Sequence, residues 1–325
     1  MESKHQPCNS VPTITFSEEM RQTGICPPSH IAEALGHLHH SGIVVLDNVV
    51  DVGHLDALNA MLVPEAINLS KTSEQRFNFG VHTGNISQAP PLDEAFMFSD
   101  VWANPFALRV LAAILGPTPV LHFASGNTAL PATSRQPVHS DIDFPHPNFP
   151  FSFVVNIPLV DVTEDNGATE VWTGSHTTTS FSDQVLTLDQ KDGLPIHAIL
   201  PELVAQRQDI SPPARACTRK GSIIIRDLRL WHAGLPNLTS SARVMLAFVW
   251  QASWWCGRGS VRLPAATQTV TKAWQQGRVA FRISAEWVDG KLIPQANGSQ
   301  DTSLASSDAT LLEMFSRSDY CSHLV

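Results

Sequence analysis

The stretch Gln136-Pro-Val-His139-Ser-Asp141 places a histidine and a carboxylate two residues apart. On a strand, both side chains would lie on the same face, because the side chains of a strand alternate with a period of two. Such a pair offers one imidazole nitrogen and one carboxylate oxygen to a single metal ion. A second histidine would complete the triad of two histidines and one carboxylate that is typical of non-haem Fe(II) oxygenases. The stretch therefore predicts two of the three protein ligands of a metal site.

The candidate for the third ligand is His232, which follows the apolar strand Ser222-Ile-Ile-Ile225. It lies 93 residues (232 − 139) beyond His139, far enough for several strands to separate the two half-sites. Arg243 comes eleven residues (243 − 232) later, at the head of another apolar strand. An arginine near such a metal suits the distal carboxylate of a dicarboxylate co-substrate. An isolated HxD motif is weak evidence, so the prediction depends on the order and spacing of all four residues.

These features resemble the phytanoyl-CoA dioxygenase family of Fe(II)- and 2-oxoglutarate-dependent oxygenases. The likeness is closest to the fungal branch that tailors secondary metabolites such as meroterpenoids and indole alkaloids, and it covers about residues 30 to 265. The stretches that carry it are Gly84-Asn-Ile-Ser-Gln-Ala-Pro-Pro91, Gly126-Asn-Thr-Ala-Leu-Pro131, QxxHxD from Gln136 to Asp141, Asn166-Gly-Ala-Thr169 leading to Gly174-Ser-His176, and the His232/Arg243 pair.

The resemblance implies a catalytic iron with three protein ligands: His139, Asp141 and His232. It also implies that Arg243 binds the C5 carboxylate of the co-substrate 2-oxoglutarate, and that Gln136 and Thr169 contact its C1 end. With Fe(II), 2-oxoglutarate and O2, the enzyme would oxidise a small molecule and release succinate and CO2. Hydroxylation, desaturation and oxidative rearrangement are all outcomes of this chemistry, and the sequence leaves the choice open.

Two positions depart from the family pattern. Gly234 stands where the founding animal enzymes carry a small hydroxylated residue that helps to hold the co-substrate. Thr173 stands where the family usually has proline, in the turn before Gly174. The first departure implies that Arg243 does more of the binding, or that a residue elsewhere compensates.

Short β-prone runs separated by proline, glycine and asparagine dominate the chain from Val120 onward. The runs are 120–124, 151–158, 169–172, 222–226 and 244–251. Several short strands without intervening helices predict an antiparallel barrel or sandwich, and the resemblance implies a double-stranded β-helix, the cupin-like jelly roll. Helices are predicted at 31–39 with Ser29 as N-cap, at 53–62 and at 105–115. The predicted fold class is mainly β with flanking helices (α+β).

The predicted organisation has three parts. Residues 1–27 are a flexible N-terminal arm, residues 28–290 a single dioxygenase domain, and residues 291–325 a tail with a short helix that Asp308 caps. Two segments inside the domain are open to interpretation. The polar segment 68–78 is either a mobile lid or an ordinary surface loop, and the insertion 180–215 suits substrate contacts or a dimer surface.

A hydrophobic pocket between the sheet and segment 68–90 would accept a small, largely apolar metabolite. The candidate substrate contacts are Phe79, Asn85, Asp143 and Trp254. We expect Asp143 and His146 to line the mouth of the site without touching the metal, because the prolines around them end the strand. We expect His176 to have a structural role in its turn, and the tryptophans near Trp254 to be core residues more often than a substrate platform.

The composition indicates a cytoplasmic enzyme. The formal net charge of −9 argues against nucleic acid and anionic membranes as partners. No run of eighteen apolar residues and no secretion signal is present. The five cysteines form no CxxC pair, which predicts reduced thiols. We expect a homodimer that binds a small-molecule substrate, and the lack of a basic cluster argues against an acyl-CoA.

Three alternatives stay open at this stage. The substrate could be derived from an amino acid or peptide instead of a terpenoid or alkaloid. The chain could be a non-catalytic family member that stabilises an active partner as a heterodimer, although a scaffold has no need of the complete triad. Two histidines and a carboxylate also bind catalytic zinc in hydrolases, but Arg243 at the co-substrate spacing favours the oxygenase.

Overall fold

The computed structural model describes residues 11–72, 77–188, 195–290, 292 and 303–316. Its strands are β1 (Thr13–Thr15), β2 (Ile43–Asp47), β3 (Asn85–Ser87), β4 (Val120–Ala129), β5 (Ser152–Pro158), β6 (Glu170–Val171), β7 (Gln184–Leu188), β8 (Pro195–Ile199), β9 (Ala214–Arg215), β10 (Ile223–Asp227), β11 (His232–Ala233), β12 (Met245–Gln251), β13 (Val261–Pro264), β14 (Arg282–Ile283) and β15 (Ala285–Val288). Its α-helices are α1 (Glu18–Thr23), α2 (Pro28–Ser41), α3 (Val52–Leu69), α4 (Ser99–Trp102), α5 (Pro105–Leu115), α6 (Pro201–Ile210), α7 (Gln268–Gln275) and α8 (Ala309–Ser316).

The larger sheet has the strand order β1-β2-β10-β5-β12-β4-β14, and β3 pairs with the far end of β4. β1 and β14 run parallel to their neighbours, and the other pairs are antiparallel. A smaller sheet has the order β11-β6-β9, and the pairs β7–β8 and β13–β15 stand apart. This fold is mainly β with flanking helices, as the sequence predicts.

The two faces of the larger sheet differ in what covers them: helices cover one face, and the other borders a cavity. Along β12, Phe248 and Trp250 join a hydrophobic core with residues of α2 and α5. The intervening Ala247 and Val249 line an internal cavity. This alternation follows from the two-residue period of a strand. Each large apolar side chain that is fully buried contributes about 1.5–3 kcal/mol, so the helix-covered face stabilises the sheet and leaves the other face available for a site.

The helices α2, α3 and α5 correspond to the three predicted helices, and α2 and α3 differ from the prediction in their bounds. α5 has the predicted bounds, and Asn104 caps it by accepting hydrogen bonds from two backbone N–H groups at 3.0 and 3.2 Å. α2 begins at Pro28 and not after a Ser29 cap, because proline fits the first helical position without losing a hydrogen bond. α3 continues past Leu62 and through Pro64 to Leu69. Its buried face continues with it, so packing outweighs the cost of the proline.

The N-terminal residues 11–27 differ from the predicted flexible arm. β1 extends the larger sheet beside β2, and the Val45 N–H donates to the Pro12 carbonyl at 2.8 Å. Ile14 and Phe16 are buried in the core, and Ser17 caps α1. The run Thr13-Ile-Thr15 alternates exposed and buried residues, which is the pattern of an edge strand. Residues 1–10 of the predicted arm lie outside the described residues.

The insertion 180–215 is more ordered than its polar composition indicates. It contains the β7–β8 pair and helix α6. Gln184, the first residue of β7, makes two side-chain hydrogen bonds to the backbone of the loop that contains Ser140. Its Oε1 accepts from the Ser140 N–H at 2.8 Å, and its Nε2 donates to the Ile142 carbonyl at 2.7 Å. The other open segment, 68–78, is described except for residues 73–76, so its role as a lid or a loop stays a prediction.

The C-terminal segment 303–316 packs against the turn that follows β12. The Leu304 carbonyl accepts hydrogen bonds from Gln251 Nε2 at 3.0 Å and from Trp255 Nε1 at 2.9 Å. Asp308 caps α8 as predicted, since its Oδ1 accepts from the Thr310 N–H at 2.9 Å. The side chain of Leu304 lines the internal cavity. None of the helices in the described residues has both the length and the apolar character needed to cross a membrane.

Candidate metal centre

The three predicted metal ligands come together at one end of the cavity. Among the described residues, His139, Asp141 and His232 form a group whose ligand atoms all lie within 4.8 Å of one another. His232 Nε2 is 3.5 Å from Asp141 Oδ1, and the two imidazole rings are 4.2 Å apart between centroids. Two nitrogens and one oxygen at these separations are a fitting donor set for a non-haem iron.

The backbone brings the ligands together in a way that differs from the predicted strand. His139 pairs with His232 in an isolated bridge, in which each N–H donates to the other's carbonyl at 2.9 Å. Asp141 lies in a bend, where its N–H donates to the Leu228 carbonyl at 3.1 Å. The HxD stretch is therefore not a regular strand. The cross-chain bridge, together with the loop contacts of Gln184, sets the position of the carboxylate.

Each histidine is held in the tautomer that a metal requires. His139 Nδ1 lies 2.9 Å from the Pro137 carbonyl, and His232 Nδ1 lies 3.0 Å from the Leu230 carbonyl. A carbonyl can only accept, so both Nδ1 atoms carry the proton and both Nε2 atoms keep a free lone pair. Burial lowers the pKa of His139 and, more strongly, that of His232. Both rings are therefore neutral and able to ligate at neutral pH.

Arg226 is the residue at this centre that the sequence analysis missed. Its Nη2 donates to Asp141 Oδ2 at 2.6 Å, and its side chain is 8% exposed. Burial alone would raise the pKa of Asp141, but Arg226 and the two histidines outweigh that effect and hold it well below its usual range. The sequence does contain a signal for this residue, because a charged side chain directly follows three isoleucines in β10. Buried charges of this kind are paired.

Arg243 presents an unpartnered donor to the cavity. Its Nη2 donates to the Gly167 carbonyl at 2.8 Å and its Nε approaches the Asn166 carbonyl at 3.4 Å. Its Nη1 is buried and has no hydrogen-bond partner among the described residues. Burial lowers the pKa of Arg243 to about 10, so the guanidinium stays charged at neutral pH. A buried donor without a partner is costly, which fits a site for an anionic oxygen of a bound molecule.

Gln136 occupies the space beside Gly234. Its Oε1 accepts from the Gly234 N–H at 2.8 Å, and the Gln136 N–H donates to the Gly234 carbonyl at 2.8 Å. A Cβ added at Gly234 would lie 2.6 Å from that Oε1 and 3.2 Å from Nδ2 of Asn85. The glycine therefore allows an amide side chain to stand where the founding animal enzymes place a small hydroxylated residue.

Replacing Gly234 with serine is expected to displace the Gln136 amide. The overpacking should lower the free energy of unfolding by about 1–3 kcal/mol, and a titration should show weaker 2-oxoglutarate binding. Urea unfolding measures the first effect. The matched control is Gly36→Ser, because a Cβ at Gly36 meets nothing within 4 Å. Adding Gln136→Ala to Gly234→Ser should recover part of the stability. A serine variant with unchanged stability and tighter 2-oxoglutarate binding would contradict this account.

A comparison with known families identifies the chain. Residues 38–245 match the family model described as phytanoyl-CoA dioxygenase (PhyH), which is well over half of the 325 residues. The chain belongs to the phytanoyl-CoA dioxygenase family. The matched region contains all three predicted ligands as well as Gln136 and Arg243.

Solved structures show the same fold. The non-heme alpha-ketoglutarate-dependent epimerase SnoN from nogalamycin biosynthesis is 18% identical, with 70% of this chain and 82% of that chain covered and a TM-score of 0.51. A SnoN complex with Fe3+, alpha-ketoglutarate and nogalamycin RO gives the same identity and TM-score and covers 85% of that chain. EctD from S. alaskensis with 2-oxoglutarate and 5-hydroxyectoine is 14% identical, covers 73% and 78%, and has a TM-score of 0.52. These likenesses confirm the cupin-like jelly roll.

The cavity of this phytanoyl-CoA dioxygenase family member has a volume of about 570 Å³. Along with the triad it contains most of the other predicted site residues: Gln136, Thr169, Arg243, Phe79, Asn85 and Asp143. The ring of Phe79 packs 4.5 Å from that of His139, on a backbone with φ of +60°. Such a left-handed conformation is unfavourable for a bulky residue, so the surrounding structure holds this ring against the ligand.

Two predicted positions lie elsewhere. Trp254 is not among the cavity-lining residues; it follows the end of β12, is 40% exposed and packs on Phe149. His146 does not line the mouth of the site either. It is buried, stacks on Phe151 and directs Nδ1 toward the Pro147 carbonyl at 3.0 Å. His146 lies in an irregular stretch and Trp254 lies beyond the end of β12, so neither the strand period nor sequence distance could locate these side chains.

Proposed function

We propose that this protein is a non-haem Fe(II)- and 2-oxoglutarate-dependent oxygenase that oxidises a small, largely apolar metabolite in a biosynthetic pathway. The observation that carries the proposal is one cavity that holds both kinds of binding group. One ligand atom from each of His139, Asp141 and His232 lies within 4.8 Å of the others, and Arg243, which lines the same cavity, carries a buried Nη1 without a hydrogen-bond partner among the described residues. A metal site and an anion site within one enclosure suit a dicarboxylate that chelates the metal.

One set of residues would bind the metal, and a second set would bind the co-substrate. His139, Asp141 and His232 would hold the iron, and Arg243 would bind the C5 carboxylate of 2-oxoglutarate. Bound iron, with 2-oxoglutarate and O2, supplies an oxidant able to remove a hydrogen atom from an unactivated carbon, with release of succinate and CO2. Gln136 and Thr169 line the cavity and are proposed to contact the C1 end of the co-substrate.

The wall of the cavity favours a substrate without anionic groups. Arg226 and Arg243 are its arginines among the described residues, and no lysine lines it there. Arg226 is paired with Asp141 and Arg243 would be paired with 2-oxoglutarate, so neither is left for phosphates or carboxylates of a substrate. This supports the expectation that the substrate is not an acyl-CoA. The rest of the wall combines asparagine and serine side chains with apolar ones, among them Phe79, Phe123, Leu228, Val249 and Leu304.

The mouth of the cavity keeps the amino-acid-derived substrate open as an alternative. Asp143 lines the cavity with its side chain 54% exposed, and its Oδ2 lies 3.8 Å from His197 Nε2. A carboxylate in that position can accept a hydrogen bond from an amine. SnoN, which has the same fold, is an epimerase, so the fold itself does not select among hydroxylation, desaturation and rearrangement. We propose Asp143, Phe79 and Asn85 as substrate contacts.

Anaerobic titration of the metal-free protein with Fe(II) and then 2-oxoglutarate tests the proposal. The expected result is a weak visible charge-transfer band, which forms when the keto acid chelates the iron. Small apolar metabolites that perturb the band then identify the substrate class. Iron binding without a band would contradict the proposal and favour the non-catalytic partner. Zinc binding with hydrolytic activity and no response to 2-oxoglutarate would favour the hydrolase.

Three broader expectations accompany this proposal. We propose that the protein is a homodimer, that it works in the cytoplasm and that it belongs to the fungal branch for secondary metabolism. The described cysteines Cys26, Cys217 and Cys256 form no disulfide with one another, which supports the expectation of reduced thiols. Each of the three expectations remains a prediction.

A further inference from the structure

The carboxylate of Asp141 uses its two oxygens for two different partners. Oδ1 faces the histidines, 3.5 Å from His232 Nε2. Oδ2 accepts a hydrogen bond from Arg226 Nη2 at 2.6 Å. The side chain of Arg226 is 8% exposed, and that of Asp141 is 30% exposed, toward the cavity. The guanidinium thus binds a different oxygen of the carboxylate from the one that lies nearest His232 Nε2.

Arg226 reaches this position from a rigid part of the fold. β10 pairs with β2 on one side and with β5 on the other, and Arg226 itself is in register with Ile43 and Val154. Asp141, by contrast, lies in a bend outside any regular strand. A side chain on a central strand is placed more precisely than one on a loop. The ion pair therefore fixes the Asp141 carboxylate to a residue of a rigid strand. The loop alone would hold that carboxylate less precisely.

The second donor group of Arg226 stays free in the metal-binding tautomer. Nη1 lies 3.3 Å from His232 Nδ1. That nitrogen carries a proton when it donates to the Leu230 carbonyl, so Nη1 makes no hydrogen bond to it. The tautomer in which His232 Nδ1 accepts from Arg226 would place a proton on Nε2 and block ligation. The bond that remains for Arg226 in the active form is the one to Asp141.

We propose that Arg226 is a positioning residue that holds Asp141 as a one-oxygen ligand. This inference rests on the proposed function. The charged hydrogen bond from Arg226 engages Oδ2 and draws it toward the guanidinium, which leaves Oδ1 as the favoured oxygen for a metal ion. A carboxylate that bound through both oxygens would occupy a fourth coordination position. Octahedral iron has three positions beyond a three-ligand triad, and 2-oxoglutarate with O2 requires all three.

A nearby ion pair provides a matched control. Arg229 Nη2 binds Asp227 Oδ2 at 2.7 Å, with side chains that are 2% and 1% exposed. This pair is more deeply buried than the Arg226 pair and lies in the same stretch of chain. Neither residue lines the cavity. Breaking it removes a buried ion pair without changing any contact to the proposed metal ligands.

The test is a Co(II) titration of the full-length, metal-free protein, followed by visible absorption and by competition with a chelator. Arg226→Met is expected to weaken Co(II) binding by about 10- to 100-fold, as is typical when the residue that orients a ligand is lost. It should also weaken the binding of 2-oxoglutarate to the Co(II)-loaded protein, because a freed carboxylate can take a second position. Arg229→Met should lower the melting temperature and leave Co(II) affinity within about twofold, since it supports no ligand.

Arg226→Lys keeps the inference testable if Arg226→Met does not fold. Lysine retains the charge but lacks the planar fork of the guanidinium, so a smaller loss of Co(II) affinity is expected. A folded Met or Lys variant with wild-type Co(II) and 2-oxoglutarate affinities would overturn the inference. Failure of the proposed function looks different: the wild-type protein itself would then bind no Co(II), or would bind it without responding to 2-oxoglutarate.

Discussion

Replacing Arg243 with methionine is expected to weaken 2-oxoglutarate binding more than any other change outside the triad. The co-substrate carboxylate would then be buried opposite an apolar side chain. Loss of one partner of a buried charge pair costs about 2–5 kcal/mol, which is about 30-fold to several thousand-fold in dissociation constant. Titration of the metal-loaded variant with 2-oxoglutarate measures this loss. Turnover at saturating metabolite should fall in parallel and recover in part at high 2-oxoglutarate.

Two controls separate the anion site from a general loss of structure. Arg243 also donates to the carbonyls of Gly167 and Asn166, so the melting temperature of the variant must be measured beside its affinity. Arg219→Met removes an arginine whose side chain is 80% exposed, and it should leave 2-oxoglutarate binding unchanged. If Arg243→Met binds 2-oxoglutarate as tightly as the wild type, Nη1 of Arg243 is not the anion site.

The second large effect is expected for His232→Ala. The variant keeps only His139 and Asp141 as ligands, so metal affinity should fall by more than the roughly 10- to 100-fold typical of losing a supporting residue. Turnover should fall to background. The fold should persist, because the two bonds that join residues 139 and 232 are backbone bonds. Metal titration and circular dichroism measure the two outcomes.

His146→Ala is the matched control for this change. His146 is also a buried histidine near the HxD stretch, but its ring stacks on Phe151 and does not line the cavity. We expect its removal to cost stability and to leave metal affinity intact. A His232→Ala variant that still binds the metal and turns over substrate would remove His232 from the triad.

The part of the site that could be predicted from sequence is the part with local or repeated signals. A histidine and a carboxylate two residues apart, a late histidine after an apolar strand and an arginine at a set distance identified the cluster around His139. Short β-prone runs between prolines, glycines and asparagines likewise indicated β5 and β12, and proline with glycine marked the ends of α5. These signals are short-range consequences of side-chain direction and backbone restriction.

The rest depends on contacts between distant parts of the chain. Nothing near Asp141 in sequence shows that Arg226, 85 residues away, pairs with it. The reach of Gln184 into the ligand loop is equally non-local. Gly234 looks like a missing co-substrate ligand in sequence, whereas the structure shows an amide from residue 136 in its place. Trp254 was misplaced because the direction of a side chain beyond the end of a strand follows from the turn and not from a period.

The C-terminal segment contributes to the cavity a residue that lies outside the region matched to the family. The family match ends at residue 245, and Leu304 lies well beyond it, tied by its carbonyl to Gln251 and Trp255. Its side chain nevertheless forms part of the wall around the reaction space. Part of the cavity wall thus comes from outside the matched region, whereas the proposed metal ligands and Arg243 lie inside it. A substitution at Leu304 would reshape the cavity without changing any of those four residues.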